Sequence, residues 1–297
     1  MSQSVTVRVP AKVNVQLAVG AARPDGFHDL ANVFLAVGLY DEVTVTPAER
    51  LRVTCSGPGC DQVPLDRTNL AARAAELLAA RHGRTADVHI HIAKDIPVAG
   101  GMAGGSADGA GALVACDALW GTGASRDELL DICAELGSDV PFSLVGGAAL
   151  GTGRGEKLES LEVGGAFHWV FAVADGGLST PAVYREFDRL TPNAPAPEAS
   201  AGLLDALRQG DAEALAGAVS NDLQPAALSL FPSLAGTLAA GTGAGALAAL
   251  VSGSGPTTAF LAADAQAARR VAEALSASGT CRTARVAASP APGATVL

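Results

Sequence analysis

The stretch that most constrains this chain is Ala93–Gly111, AKDIPVAGGMAGGSADGAG. Strand-like alternation in Val88-His89-Ile90-His91-Ile92 runs into it, and an Ala-rich run from Ser106 to Leu119 leaves it at helical spacing. Between them Gly100, Gly101, Gly104 and Gly105 free the backbone to curl, so that several N–H groups can point one way. A helix N-terminus at the same place favours an anion. Strand, glycine-rich loop and helix together predict a phosphate cradle, although neither the G-x-x-x-x-G-K-[ST] nor a clean G-x-G-x-x-G spacing is present. A chain with 35 glycines could carry such a loop without function. Its coincidence with a helix start favours phosphate.

The rest of the chain is acidic, with net charge −10, which argues against nonspecific nucleic-acid binding. An anionic ligand therefore needs a local cation. Only Lys12, Lys94 and Lys157 are lysines among 20 basic residues, so Lys12 in the first strand pair and Lys94 at the loop entrance are candidates. Cys55, Cys60, Cys116, Cys133 and Cys281 contain no C-x-x-C pair, which predicts reduced cytoplasmic thiols and no zinc site. Mean hydropathy is +0.30, carried largely by alanine, but no run of about 18 apolar residues could span a membrane. The start, MSQSVTVRVPAK, lacks signal-peptide character.

Alternation predicts strands at Val5–Val9 and Lys12–Val19, split by Pro10, then at Leu30–Leu39, Asp41–Thr46 and Leu51–Cys55. Helical spacing over Asn69–Arg81 ends at Gly83, with Asn69 placed as a cap. His89 and His91 share one strand face without a partner carboxylate or thiol, so they read as an exposed or interfacial face. Ser125-Arg126-Asp127-Glu128 is a capping box for a helix ending near Leu136. Asp139, before Val-Pro, reads on its own as a cap or turn residue. The texture changes near Glu156–Gly165. A strand at Phe167–Ala174 follows, then a helix opening at Ser179-Thr180-Pro181 with Tyr184 on its inner face.

PAKVNVQLAVGAARPDGFHDL resembles the opening signature of the 4-diphosphocytidyl-2-C-methylerythritol kinases, a branch of the GHMP kinases. The match falls at Pro10, Ala11, Lys12, Asn14, Gly20, Arg23, Asp25, Gly26, Phe27 and His28. The central loop resembles the second motif of that superfamily at Pro97, Gly101, Gly104, Gly105, Ser106 and Asp108, with Ala99 and Ala103 where glycines are usual. Gly137–Phe142 resembles the segment that carries the family's catalytic aspartate. Ser252–Thr257 resembles the third motif.

The resemblance covers essentially the whole chain and implies an α+β, two-domain fold: residues 1–160 form a mixed sheet backed by helices, and 161–297 a ferredoxin-like half. It implies Lys12 and Asp139 as the catalytic pair. ATP would be held by Asn69, Lys94 and the loop Pro97, Val98, Ala99, Gly100, Gly101, Met102, Ala103, Gly104, Gly105 and Ser106, with Mg²⁺. Asn14, Phe27, His28, Thr180 and Tyr184 would hold the cytidine substrate. The expected reaction is phosphorylation of the substrate's 2-hydroxyl, in the cytoplasm, by a monomer or homodimer, with no nucleic-acid or membrane partner. Two other readings stay open: another small-molecule kinase of the superfamily, acting on a sugar or homoserine, or a silent nucleotide-binding regulator.

Overall fold

The computed structural model describes residues 4–98 and 100–297. From the N-terminus the chain lays down β1 (Val5–Ala22), β2 (His28–Pro47), β3 (Arg52–Ser56), α1 (Leu70–Arg81), β4 (Val88–Ala93), α2 (Gly104–Trp120), α3 (Arg126–Leu136), α4 (Val140–Val145), β5 (Ala148–Thr152) and β6 (Lys157–Ser160). It continues through β7 (Phe167–Val173), α5 (Thr180–Leu190), α6 (Ala201–Gln209), α7 (Ala212–Ala216), β8 (Ser220–Asn221), α8 (Gln224–Leu230) and α9 (Leu234–Gly243). It closes with β9 (Ala248–Val251), β10 (Thr258–Ala262), α10 (Ala265–Ser278), β11 (Thr283–Ser289) and β12 (Thr295–Val296).

The first sheet is mixed, with the path β12-β1-β2-β4-β3; β5 adds to β2, β6 to β5 and β8 to β1. The expected break at Pro10 does not occur. β1 runs on as one strand because the register against β2 shifts between Pro10 and Ala11, and this bulge accommodates a residue that has no N–H to donate. β2 is likewise continuous where two strands were expected. Helix α2 carries no apolar stripe because it is buried nearly all round, between the sheet, α1 and α4. A Cβ on Gly111 would stand 2.8 Å from both Val9 and Val43, so the missing side chain lets α2 lie close on β1 and β2.

The second sheet has the order β11-β7-β10-β9, all antiparallel, which with α10 returning β10 to β11 is the ferredoxin-like arrangement. Its strands read as period-2 on both faces. Phe167, Trp169 and Phe171 enter the main core with β1 and β2 residues, while Val170 and Ala172 pack under α10 with Phe260 and Val271. The main core is therefore continuous through both sheets. Two short pieces beyond residue 160 return to the first sheet: Gln16–Leu17 pair with β8, and Val7–Arg8 pair with β12. The same sequence region supplies α8, a seven-residue helix with Pro225 in its first turn.

Candidate active site

The site is assembled where both sheets meet the start of α2. On β1, Lys12 and Asn14 are two residues apart and share a face. Lys12 Nζ donates to Asn14 Oδ1 (2.6 Å) and to the Gly101 carbonyl (3.0 Å), and lies 3.5 Å from Asp139 Oδ2. Asn14 in turn donates to Asn32 Oδ1 at 2.7 Å. Asp139 occupies the cap position of α4 but makes no capping bond. Pro141, at the second helical position, has no N–H to offer, so the carboxylate is left to face Lys12. The Lys12 side chain is 5% exposed and that of Asp139 32%, placing the ammonium at the floor of the cleft and the carboxylate at its wall.

Two glycine loops meet directly above this pair. Gly101 has φ +72, and a Cβ there would stand 2.1 Å from the Ser252 carbonyl, so no other residue fits. Its carbonyl accepts from both Lys12 Nζ and Ser252 Oγ (3.1 Å). Ala103 precedes α2 at φ 60, a left-handed conformation uncommon for alanine, in the position where a glycine is usual. No side chain caps α2, and Gly104, Gly105 and Ser106 line the cleft, so the N–H groups of the first turn are left for an anion. Ser106, placed at the helix start by its sequence, sits inside that first turn instead.

The far wall combines both halves of the chain. The turn after β1 presents Phe27 and His28, and α5 presents Thr180 and Tyr184. His28 packs against Tyr184 with centroids 4.8 Å apart, and Thr180 Oγ1 hydrogen-bonds Ser254 Oγ at 2.8 Å. Phe27 is exposed, with the Arg154 guanidinium 4.9 Å from its ring centre. Lys12, Asn14, Phe27, His28, Gly100, Gly101, Ala103–Ser106, Asp139, Thr180 and Tyr184 thus come together around one cleft of about 750 Å³, a size suited to small-molecule ligands.

Other expected residues are elsewhere. Lys94 is turned away from the cleft into a sealed ion cluster, donating to Asp41 and to Asp108 Oδ2 (2.9 Å). Asp41 also accepts from the N–H groups of Asp95 (2.7 Å) and Ile96 (2.9 Å). The side chains of Lys94, Asp41 and Asp108 are 1%, 0% and 4% exposed. Burial opposes charge on Lys94, but Asp108 and Asp41 outweigh it and raise its pKa, so it remains an ammonium. Burial pushes the Asp108 carboxyl up to about 7, against the pull of Lys94 and with the help of Asp41. Asp108 Oδ1 has no partner among the described residues.

Asn69 is the α1 cap, accepting from the Ala71 N–H at 2.8 Å and donating to the Pro64 carbonyl at 2.7 Å, and it does not line the cleft. Met102 is wholly buried, meeting the site only through its carbonyl, which accepts from the Lys12 N–H. Pro97 and Val98 border a separate small hollow beside Arg285. Ala99 lies outside the described residues.

Sequence reading did not single out Asn32, Arg154, Arg185 or Asp188, all in the cleft wall, which Ser254 of the third-motif loop also lines. Asp188 was findable, being one helical turn past Tyr184 on the same helix face. Asn32 and Arg154 carried no such local signal. No group of three or more His, Cys, Asp or Glu among the described residues could hold a metal ion. His89 and His91 are instead joined through Thr54 Oγ1, at 2.7 and 2.9 Å. No helix among the described residues is long and apolar enough to cross a membrane.

Comparison with known proteins gives the family and the fold. The family model described as GHMP kinases N terminal domain matches residues 69–147, and that described as GHMP kinases C terminal matches 203–281. A 4-diphosphocytidyl-2-C-methyl-D-erythritol kinase of Streptomyces avermitilis is 82% identical over 296 residues, covering 99% of this chain and 100% of its own. Kinases of the same name from Streptomyces coelicolor (78% identical, 99% of each chain) and Thermobifida fusca (60%, covering 99% and 98%) follow. A crystal structure of 4-(cytidine 5'-diphospho)-2C-methyl-D-erythritol kinase, 34% identical, superposes with a TM-score of 0.78 over 95% of this chain and 98% of its own. The homoserine kinase of Cytophaga hutchinsonii reaches the same TM-score at 20% identity, over 100% and 98%. The fold is thus shared more widely than the substrate, and the side chains of the cleft must carry the distinction.

Proposed function

Because the chain belongs to the GHMP kinases, and within them to the 4-diphosphocytidyl-2-C-methyl-D-erythritol kinase family, we propose that its cleft moves the γ-phosphoryl group of ATP onto the 2-hydroxyl of that substrate. It is an ATP-dependent small-molecule kinase of isoprenoid-precursor synthesis. The observation that carries the chemistry is the Lys12–Asp139 pair, set between the glycine loops and the His28–Tyr184 wall.

In this reading Asp139 accepts the proton of the attacking alcohol, or orients it, and returns the proton to solvent through its exposed edge. Lys12 beside it favours the alkoxide and answers the charge that spreads over the phosphoryl oxygens. Asn14, itself oriented by Asn32, keeps Lys12 from swinging into Asp139 as a closed salt bridge. The open N–H groups of Gly104, Gly105 and Ser106 hold phosphate oxygens, with the loop Gly253–Gly255 opposite. Mg²⁺ would enter bound to the phosphates, with the Ser106 hydroxyl as the nearby protein oxygen, and would supply charge neutralisation. Phe27 and Tyr184 flank the cytosine, and His28 meets its edge. Five free cysteines support a reducing, cytoplasmic setting.

The second reading, a homoserine kinase, has the shared fold in its favour and the aromatic-imidazole wall against it. Product formation followed by phosphorus NMR, with ATP and each alcohol in turn, decides. Phosphorylation of the cytidine substrate alone is expected. Turnover of homoserine instead, or of neither, overturns the assignment.

A further inference from the structure

Asp188 is a charged group of the cleft wall with no task in this mechanism. Asp188 lies on α5 four residues after Tyr184, so both side chains leave one face of the helix. Its Oδ1 stands 2.8 Å from His28 Nε2, joining α5 to the first residue of β2. The His28 side chain is 6% exposed and is held from two further sides, by Tyr184 and by the edge of Phe187 at 6.1 Å between centroids. The ring is therefore fixed, and its contact with Asp188 is not an accident of a swinging side chain. An ionised carboxylate only accepts hydrogen bonds, so the proton in this contact belongs to Nε2. Nδ1 has no protein partner among the described hydrogen bonds. Asp188 has no other ion-pair partner there either.

We propose that Asp188 is a specificity-determining positioning residue: by keeping the His28 proton on Nε2, it leaves Nδ1 as a lone-pair acceptor aimed at the pyrimidine edge. The 4-amino group of cytosine donates to such an acceptor. The 4-carbonyl of uracil does not, and would set lone pair against lone pair in a site shielded from water. Without the carboxylate the imidazole can exchange tautomers, and the Nδ1–H form would accept uracil as readily as the other accepts cytosine. This inference rests on the reading that His28 meets the base, and the experiment separates the two.

Wild type, Asp188→Asn, Asp188→Ala and His28→Ala are assayed with the cytidine substrate and with its uridine counterpart, and KM for ATP is measured alongside. Nitrogen-15 NMR of the full-length wild-type chain reads the His28 tautomer directly, so one arm does not depend on any variant folding. The wild type should prefer the amino base by about 10²-fold or more in kcat/KM and show Nε2–H with a bare Nδ1. Asp188→Asn, whose amide can offer either a donor or an acceptor, should lower that preference roughly tenfold, chiefly through KM for the cytidine substrate. KM for ATP should stay within about twofold.

An unchanged preference in both Asp188 variants, or an Nδ1–H tautomer in the wild type, sinks the proposal. So does a parallel rise in KM for ATP and for substrate, which marks Asp188 as a strut between α5 and β2. If His28→Ala loses the preference while the Asp188 variants keep it, base reading stands and only the role of Asp188 fails. If His28→Ala changes nothing, base reading fails as well.

Discussion

Two lysines flank the same glycine loop, both meet carboxylates, and they do opposite things. Lys12 sits at the cleft floor with neutral acceptors on two sides and a partly exposed carboxylate 3.5 Å away. Lys94 is sealed between Asp41 and Asp108, its ammonium just beneath the backbone of Gly104. The first arrangement is loose enough for a hydroxyl and a phosphoryl oxygen to enter. The second is closed, its cation held between two carboxylates within the protein interior, and it supports the loop from behind. Charge near a phosphate site is therefore not enough to make a phosphate ligand; the ammonium must also keep a side open to the cleft. A buried cluster of this kind is poor evidence of net stabilisation, but removing one member leaves the others uncompensated.

The largest effect expected is at Lys94. Lys94→Met keeps the stem and strands two carboxylates in the core, which should lower stability by about 3–5 kcal/mol near neutral pH. In chain that remains folded at low temperature, KM for ATP should change less than about threefold. Denaturant unfolding together with ATP kinetics tests this; normal stability with a large rise in KM would return Lys94 to the nucleotide.

Asp139 should behave in the reverse manner. Asp139→Asn is expected to cut turnover by roughly 10²-fold or more, while ATP affinity and melting temperature barely move. Near-normal turnover removes the proton-accepting role.

A smaller effect separates the two sites by pH. The Asp108 carboxyl titrates higher in the folded chain, at about 7, than in the unfolded chain, at about 4. Its contribution is thus fully present below the unfolded value and is lost as pH rises through the folded one. Asp108→Asn should flatten that slope, narrowing the stability difference between pH 5 and pH 8 by on the order of 2 kcal/mol. Equal slopes in variant and wild type would show that Asp108 is ionised throughout.

The smallest expected change is at Ala103, whose φ of 60 is costly with a side chain. Ala103→Gly should raise stability by up to about 1 kcal/mol and leave turnover within about twofold, since the cradle already has the glycine-like shape. A loss of stability would mean that the loop does not hold this conformation in solution.

Much of the cradle was legible locally because its causes are local. Glycines that permit positive φ and a strand running into a helix act within a few residues, and outside the cradle so does the serine that caps α3. The structure shows Ser125 accepting from the Glu128 N–H as its spacing predicts. The order of the motifs likewise makes the family legible in the sequence. Tertiary structure decided matters that no spacing encodes. Lys94 meets Asp41 across 53 positions and Asp108 across 14, so its pairing depends on β2 and α2 being folded against each other. Pro10 continues a strand because a bulge against Tyr40 absorbs it, which only the partner strand can arrange. Asp139 is left uncapped toward Lys12 by a main-chain path that brings α4 to β1. Local backbone preference is written in neighbouring residues, whereas burial, which chose one lysine for the cleft and the other for the core, exists only once distant segments have packed together.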